Sequence, residues 1–322
     1  MARLISADMF RMSRYWLPWL LLALLVGILT LQVNGKLNEL ADLRVEIESG
    51  VSVHDVTPTE SIRLQGQVFQ ASQLEQELAY PGFIGSAARL STGFGWFFVI
   101  LFTAVAGGED FTRRTLHLEL ARGIGRGHWL LARCIALWLV TGLGLGIITL
   151  LAAATGPYVH SQAFDSASTL EGLGDAPLMV LRAWLTYLPY IAATLFWTVL
   201  GQQAGPAMGV GIGLRFIELF SGFFVPFIIS LITAQSVQVP LIFRLQAYLT
   251  ESMIGHNASV FLFWGMPGIM DQQLLEDLQS LGDEFVLSSD PWRSAAILAG
   301  YVVINLCATA WILRRRDVTF GA

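Results

Sequence analysis

Residues 101–133 read LFTAVAGGEDFTRRTLHLELARGIGRGHWLLAR. An apolar run closes on Gly107 and Gly108, a charged segment follows, and a second apolar run opens after Arg133. Arg113, Arg114, Arg122, Arg126 and Arg133 all fall in this segment. Short flanking segments rich in Lys and Arg stay on the cytoplasmic side of a membrane. Two further clusters flank apolar runs: Arg3, Arg11 and Arg14, and Arg314, Arg315 and Arg316. Together the three clusters hold eleven of the 19 basic residues. Both termini and residues 108–133 are therefore expected inside, which makes the number of crossings even.

Composition points the same way. The chain is 54% hydrophobic and only 13% charged, with a mean hydropathy of +0.60. Soluble domains carry about 25% charged residues. The net charge of -5 divides unevenly. The inner segments hold 11 basic and 5 acidic residues, a balance of +6, and the outer segments hold 7 basic and 18 acidic residues, a balance of -11. An acidic outer face does not suggest a nucleic-acid partner. Cys134 and Cys307 lie in apolar runs, so no disulfide framework is implied. No cleavable signal peptide is expected. The first apolar run is longer than a typical signal core, and no small-residue cleavage site follows it.

A helix needs about 20 mainly apolar residues to cross a bilayer. Six stretches meet or approach this: 15–33, 90–107, 134–154, 179–200, 207–232 and 295–313. The expected fold is an all-α polytopic membrane protein with six transmembrane helices, an N-terminal amphipathic helix and sizeable outer loops. The inner segments are 1–14, 108–133, the turn 201–206 and the tail 314–322. The outer segments are 34–89, 155–178 and 233–294. Within 34–89, Leu37, Leu40, Leu43 and Ile47 recur at helical spacing, 55–59 reads as a turn around Pro58, and 62–69 is expected as a strand. Segment 155–178 is rich in Gly, Ser and Asp and is expected to be irregular. Residues 260–270 are apolar but too few to span, which suits an interfacial or re-entrant piece. Residues 271–283 read as an amphipathic helix, with Leu274, Leu275, Leu278 and Leu281 on one side.

No G-x-x-x-x-G-K-[ST] phosphate loop occurs, and the single lysine, Lys36, lies on the outer side. No histidine pair has metal-site spacing. No catalytic residue, cofactor or metal is expected in this chain, and no enzymatic activity of its own.

Three stretches carry information. In the inner loop, Leu116, Leu120 and Ile124 lie at i, i+4 spacing among Arg113, Arg114, Glu119 and Arg122, which predicts a short amphipathic helix stopped by Gly123 and Gly125. Such a helix suits either docking of another protein or rest on anionic lipid. In GQQAGPAMGVGIG at 201–213, Gly201, Gly205, Gly209 and Gly213 recur every four residues and make one smooth face. That face packs either within the subunit or at a seam between subunits. Arg215 and Glu218 share a helical face within the fifth span. At about 1.5 Å per residue they stand roughly 12 and 16 Å into the bilayer. Charges there face a bundle interior or an aqueous cavity. A self-neutralising structural pair and a substrate path or gate both fit.

The inner loop resembles the loop between the second and third spans of ABC type-2 transporter permeases. The matching residues are Glu109 or Asp110 after the second span, the Thr115-Leu116 step, and Arg126 before the third, with Arg133 opening that span. Ile124 and Gly125 stand where the family often has Pro and Ser. Residues 8–16 resemble the family's elbow helix, with Met9, Phe10, Met12 and Trp16 toward lipid, and WILRRRD at 311–317 resembles its usual ending. The resemblance implies a coupling helix that receives motion from a separate ATPase subunit, through Glu109, Asp110, Phe111, Arg113, Arg114, Thr115, Leu116, Leu120 and Arg126. It implies ATP and Mg bound in that partner, a second permease copy, and an exporter in the plasma or inner membrane working by alternating access. Two other classes stay open: an assembly protein that binds a partner through its acidic outer domain and moves nothing, and a secondary transporter. An absent internal repeat and a single charged pair in the spans disfavour the latter.

Overall fold

The computed structural model describes residues 1–51, 58–80, 82–113, 115–164, 174, 176–233, 251–263 and 290–315; at 50, 51, 58–62, 91, 92, 219, 221–233 and 263 only the backbone is described. Of the described residues 93% are helical and none lies in a strand, so the fold is all-α there. The helices are α1 (Ala2–Ser13), α2 (Trp16–Val51), α3 (Pro58–Leu78), α4 (Gly82–Thr112), α5 (Thr115–Ala121), α6 (Arg126–Ala163), α7 (Ala176–Leu185), α8 (Tyr187–Gly201), α9 (Ala204–Thr233), α10 (Ile254–Phe263) and α11 (Pro291–Arg315). Among the described residues, Trp16–Ser49, Arg126–Ala163, Ala176–Gly201 and Pro291–Arg315 are long and apolar enough to cross a membrane. Gly82–Leu90 with Gly95–Thr112 makes a fifth if counted as one span. The expected fifth span, 207–232, lies within the 30-residue helix α9.

The chain forms two compact units. One comprises Trp16–Gly95 and Gly142–Leu181. Here α2 and α3 make an antiparallel hairpin, its register marked by Arg63 on Glu46, Gln70 on Glu39 (3.2 Å) and Lys36 on Glu77. The strand expected at 62–69 is thus corrected to helix. Ala71, Leu74 and Leu78 are buried at helical spacing, and a period near 3.6 commits this segment to helix whatever its β-branched content. Arg89 joins Lys36 on Glu77 at 2.9 Å, and Arg44 bridges Glu75 (2.8 Å) and the Ala163 carbonyl (2.7 Å). Residues 155–163 of the segment expected to be irregular belong instead to α6, which runs to Ala163 with Pro157 inside it, and 165–173 and 175 lie outside the described residues. His160 on that extension is buried, and its Nδ1 accepts the Tyr80 N–H at 3.3 Å.

The other unit comprises Met1–Tyr15, Trp96–Thr141 and Arg182–Ala322. Within it α8 packs against α9 and α11, and α10 against α11. The break between α7 and α8 falls at Thr186, three residues before Pro189, whose missing N–H leaves the Leu185 carbonyl without its helical donor. Trp138 and Trp184 stack at 4.0 Å, each indole N–H donating to the other residue's carbonyl. The turn expected at 201–206 is confined to Gln202 and Gln203, with Gln202 left-handed at φ 53°. The expected helix at 271–283, residues 264–270 of the apolar piece, residues 55–57 of the expected turn, Arg114 and Arg316 lie outside the described residues.

Candidate functional site

The chemistry-bearing residues gather at two places, both in the unit that contains α1. The first surrounds α5. This helix ends where the sequence places glycine. Gly123 adopts φ 84°, its N–H reaches the Leu120 carbonyl at 3.0 Å, and the Ile124 N–H reaches Glu119 at 3.3 Å. These two bonds form a Schellman end, which satisfies carbonyls the helix would otherwise leave open.

Beneath α5 lies a buried ion cluster. Arg133 of α6 is fully enclosed and pairs with Asp8 of α1 (3.2 Å) and Asp110 of α4 (2.9 Å). Arg11 pairs with the same two carboxylates, at 3.1 Å to Asp8 and 2.8 Å to Asp110. Thr115, the first residue of α5, donates its hydroxyl to Asp110 at 3.0 Å, and Arg133 also donates to the Ala106 carbonyl. Four helices are thus tied at one point. Burial raises the Asp8 carboxyl above its ordinary value, outweighing Arg133 and Arg11. Burial also raises Glu119, with Asp8 and Asp110 adding to the effect. Burial alone would lower Arg11, but Asp110 and Asp8 hold it above its ordinary value.

This geometry divides the residues expected at the docking face. Asp110 and Leu116 are each 1% exposed and belong to the scaffold. Phe111 meets Trp129 edge-on at 6.5 Å. Arg126 donates to the Leu313 carbonyl and, at 3.1 Å, to that of Arg314, so it caps the C-terminus of α11 instead of extending outward. Glu109 is half-buried and pairs with exposed Arg113 at 3.3 Å, while Leu120 is half-buried. The face turned outward is carried by Arg113, Leu118 (60% exposed), Ala121 and Arg122. Met12, expected toward lipid, is fully buried, whereas Phe10 and Trp16 are exposed. The roles of Asp8, Arg11 and Arg133 were not legible in the sequence beyond their sidedness. The one available signal was a lone arginine directly after the apolar WLLA at 129–132.

The second place is the Arg215–Glu218 pair on α9. The two side chains meet at 2.5 Å, and the guanidinium lies 5.4 Å from the Trp96 ring. Glu218 also accepts the backbone N–H of Gly255. A Cβ at 255 would collide with the Arg215 guanidinium, so a side chain there would push that guanidinium out of its present place. Residues 251–255, placed by sequence in an outer segment, therefore lie against the middle of α9. Tyr301 of α11 holds them with its hydroxyl on the Ser252 carbonyl at 2.9 Å. A pocket of about 220 Å³ opens beside the pair, with Ile100, Tyr190, Trp197 and Met253 among its walls.

The glycine face was expected to pack either within the subunit or at a seam between subunits. Cβ atoms at Gly205, Gly209 and Gly213 would meet nothing within 4 Å among the described residues, and at Gly201 only Pro206 in the first turn of α9. The close approaches use other glycines: an added Cβ would lie 2.8 Å from the Ile100 side chain at Gly211 and 2.6 Å from the Ala204 backbone at Gly108. Among the described residues no group of three His, Cys, Asp or Glu side chains is placed to hold a metal ion. No protein-family model matches this sequence, and no curated protein matches it.

Proposed function

We propose that this chain is the membrane-spanning permease subunit of an ATP-driven ABC exporter of type-2 architecture. Six helices cross the membrane, both termini and the α5 loop are cytoplasmic, and α1 is the elbow helix. A separate subunit binds ATP and Mg and supplies the hydrolysis. Two permease copies form the pathway, and the substrate leaves by alternating access.

The observation that carries the reading is the seating of α5. A seven-residue helix is too short to be stable by itself in water. Here it is closed by a Schellman end and anchored through Thr115 and Leu116, while Leu118, Arg113 and Arg122 project outward. An apolar residue ringed by charge suits a protein partner, with the leucine supplying contact and the arginines setting orientation and association rate. The ion cluster then links that surface to α1, α4 and α6. A push on α5 would pass to three other helices through these contacts.

The test is affinity purification of the tagged chain from native membranes in mild detergent. The reading expects a subunit with a nucleotide-binding phosphate loop in stoichiometric amount. An assembly protein would instead bring down partners held by residues 34–89, and these would be lost on deletion of α3 while α5 variants bound normally.

A further inference from the structure

We propose that the junction between the start of α6 and the end of α11 binds the headgroup of an anionic phospholipid, with the lipid phosphate at Arg314 and Arg315. The inference needs only that these two helices, both of membrane-crossing length and hydropathy, lie in a bilayer. It stands apart from the exporter reading.

Three observations combine. The first is the junction itself. Arg126 opens α6 and donates to the carbonyls of Leu313 and Arg314 in the last turn of α11. The ends of two helices far apart in sequence are thereby held at one level, and the Arg126 guanidinium answers the negative pole of α11. The second is charge without counter-charge. Arg314 and Arg315 are exposed, and neither has a carboxylate partner among the described residues. Residues 120–133 and 291–315 contain no Asp or Glu, and Arg316 and Asp317, which follow in sequence, cancel in charge. Arg11, Arg133 and Arg113, by contrast, are paired within the protein. The third is depth. The Arg315 guanidinium lies 4.5 Å from the Trp311 ring, and that indole is 56% exposed. Tryptophan collects where hydrocarbon meets headgroup, so Arg315 stands at phosphate level. Leu131 of α6 and Ile304 of α11 are exposed and offer apolar surface to the acyl chains. Phosphatidylcholine also carries a phosphate, but its quaternary ammonium would face these guanidinium groups with no carboxylate to hold it. A headgroup of net negative charge meets no such repulsion, and the planar guanidinium fork matches phosphate oxygens.

The test uses the full chain in phosphatidylcholine nanodiscs with a small, equal share of one of two photoreactive lipids. Phosphatidylglycerol and phosphatidylcholine each carry a diazirine at the top of one acyl chain, and peptide mass spectrometry locates the adducts. The proposal expects adducts at 126–131 and 304–315, with the anionic probe favoured roughly fivefold for each arginine and so about thirtyfold for two. The preference should shrink in 1 M salt, where screening reaches within about 3 Å. Arg314→Gln with Arg315→Gln should bring the two probes near parity. Both side chains are exposed, so the melting temperature should match the parent. Arg3→Gln with Arg14→Gln removes the same charge from the exposed surface of α1 and should leave the preference intact. If the Arg314 and Arg315 variant does not fold, the two-probe comparison on the unmodified chain decides alone. Displacement of the anionic probe by soluble glycerophosphate would assign the arginines to a free phosphate ester and overturn the lipid. Equal labelling by both probes, equal labelling around Leu150 and Trp292, or an equal loss in the α1 variant would likewise overturn the proposal.

Discussion

Gly255 donates its backbone N–H to the Glu218 carboxylate across 37 positions of sequence, and the Arg215 guanidinium fills the space where a Cβ at 255 would lie. The contact fixes residues 251–255 beside α9, and a side chain at 255 would have to displace the guanidinium from Glu218. Gly255→Ala should therefore lower stability by about 1–3 kcal/mol, the usual cost of overpacking. Gly209→Ala, facing open space, should be neutral or slightly stabilising, since alanine favours helix by up to about 1 kcal/mol over glycine. Thermal melts in one detergent compare the two. If the Gly205–Gly209–Gly213 face meets a second copy, Gly209→Ala will also shift the dimer equilibrium without destabilising the monomer.

The ion pair itself predicts non-additive behaviour. Arg215→Ala or Glu218→Ala alone leaves one buried charge uncompensated and should cost about 3–5 kcal/mol. Replacing both with Met and Leu should restore most of the loss. If the double variant folds normally but the complex no longer transports, the pair serves the path as well as the fold. Single variants with unchanged stability would show that the pairing contributes nothing.

The cluster under α5 predicts a pH dependence of definite sign. Asp8 and Glu119 are both raised by burial from ordinary values of 3.8 and 4.5. The folded state thus binds these protons more tightly than the unfolded state. The stability they contribute is full below those ordinary values and is lost as pH rises through the raised ones. Glu119→Gln should flatten that decline and raise the melting temperature at neutral pH. Arg133→Leu should be the severe change, at about 3–5 kcal/mol, because Asp8 and Asp110 lose their enclosed partner. A melting temperature for Glu119→Gln below that of the parent at pH 7 would contradict this assignment.

The proposed topology rests on the basic clusters and is tested by single cysteines in a background lacking Cys134 and Cys307. A cysteine at Ser72, on exposed α3, should react with an impermeant thiol reagent added to intact cells. One at Thr112, exposed at the end of α4, should react only after permeabilisation. The reverse pattern would invert the arrangement.

Helices were legible where apolar runs exceeded a bilayer's thickness, because length and hydropathy are properties of the chain alone. The end of α5 was legible too, since Gly123 carries its conformation in its identity. The strand expected at 62–69 was misread because Val68 and Phe69 suggest β structure locally, while the burial of Ala71, Leu74 and Leu78 that decides the matter depends on α2. Roles set by distant partners stayed hidden. Arg126 reads as a loop cation, but its donors cap a helix that ends nearly two hundred residues later. Arg133 reads as a flanking charge, yet its partners come from α1 and α4. Gly255 carries no motif, and the closeness of the Arg215 guanidinium to it arises only from the fold.

The central claim is that α5 is the surface through which a separate ATPase drives this chain. The most direct measurement places a cysteine at Leu118, exposed on that helix, and cross-links it in native membranes with a short thiol-to-amine reagent. The account predicts a single adduct between this chain and a subunit carrying a nucleotide-binding phosphate loop, lost when Arg113 and Arg122 are both reversed to Glu while the permease still inserts and folds. A fully labelled Leu118→Cys chain that cross-links only to lipid or to itself, with the ATPase absent or bound elsewhere, would contradict it.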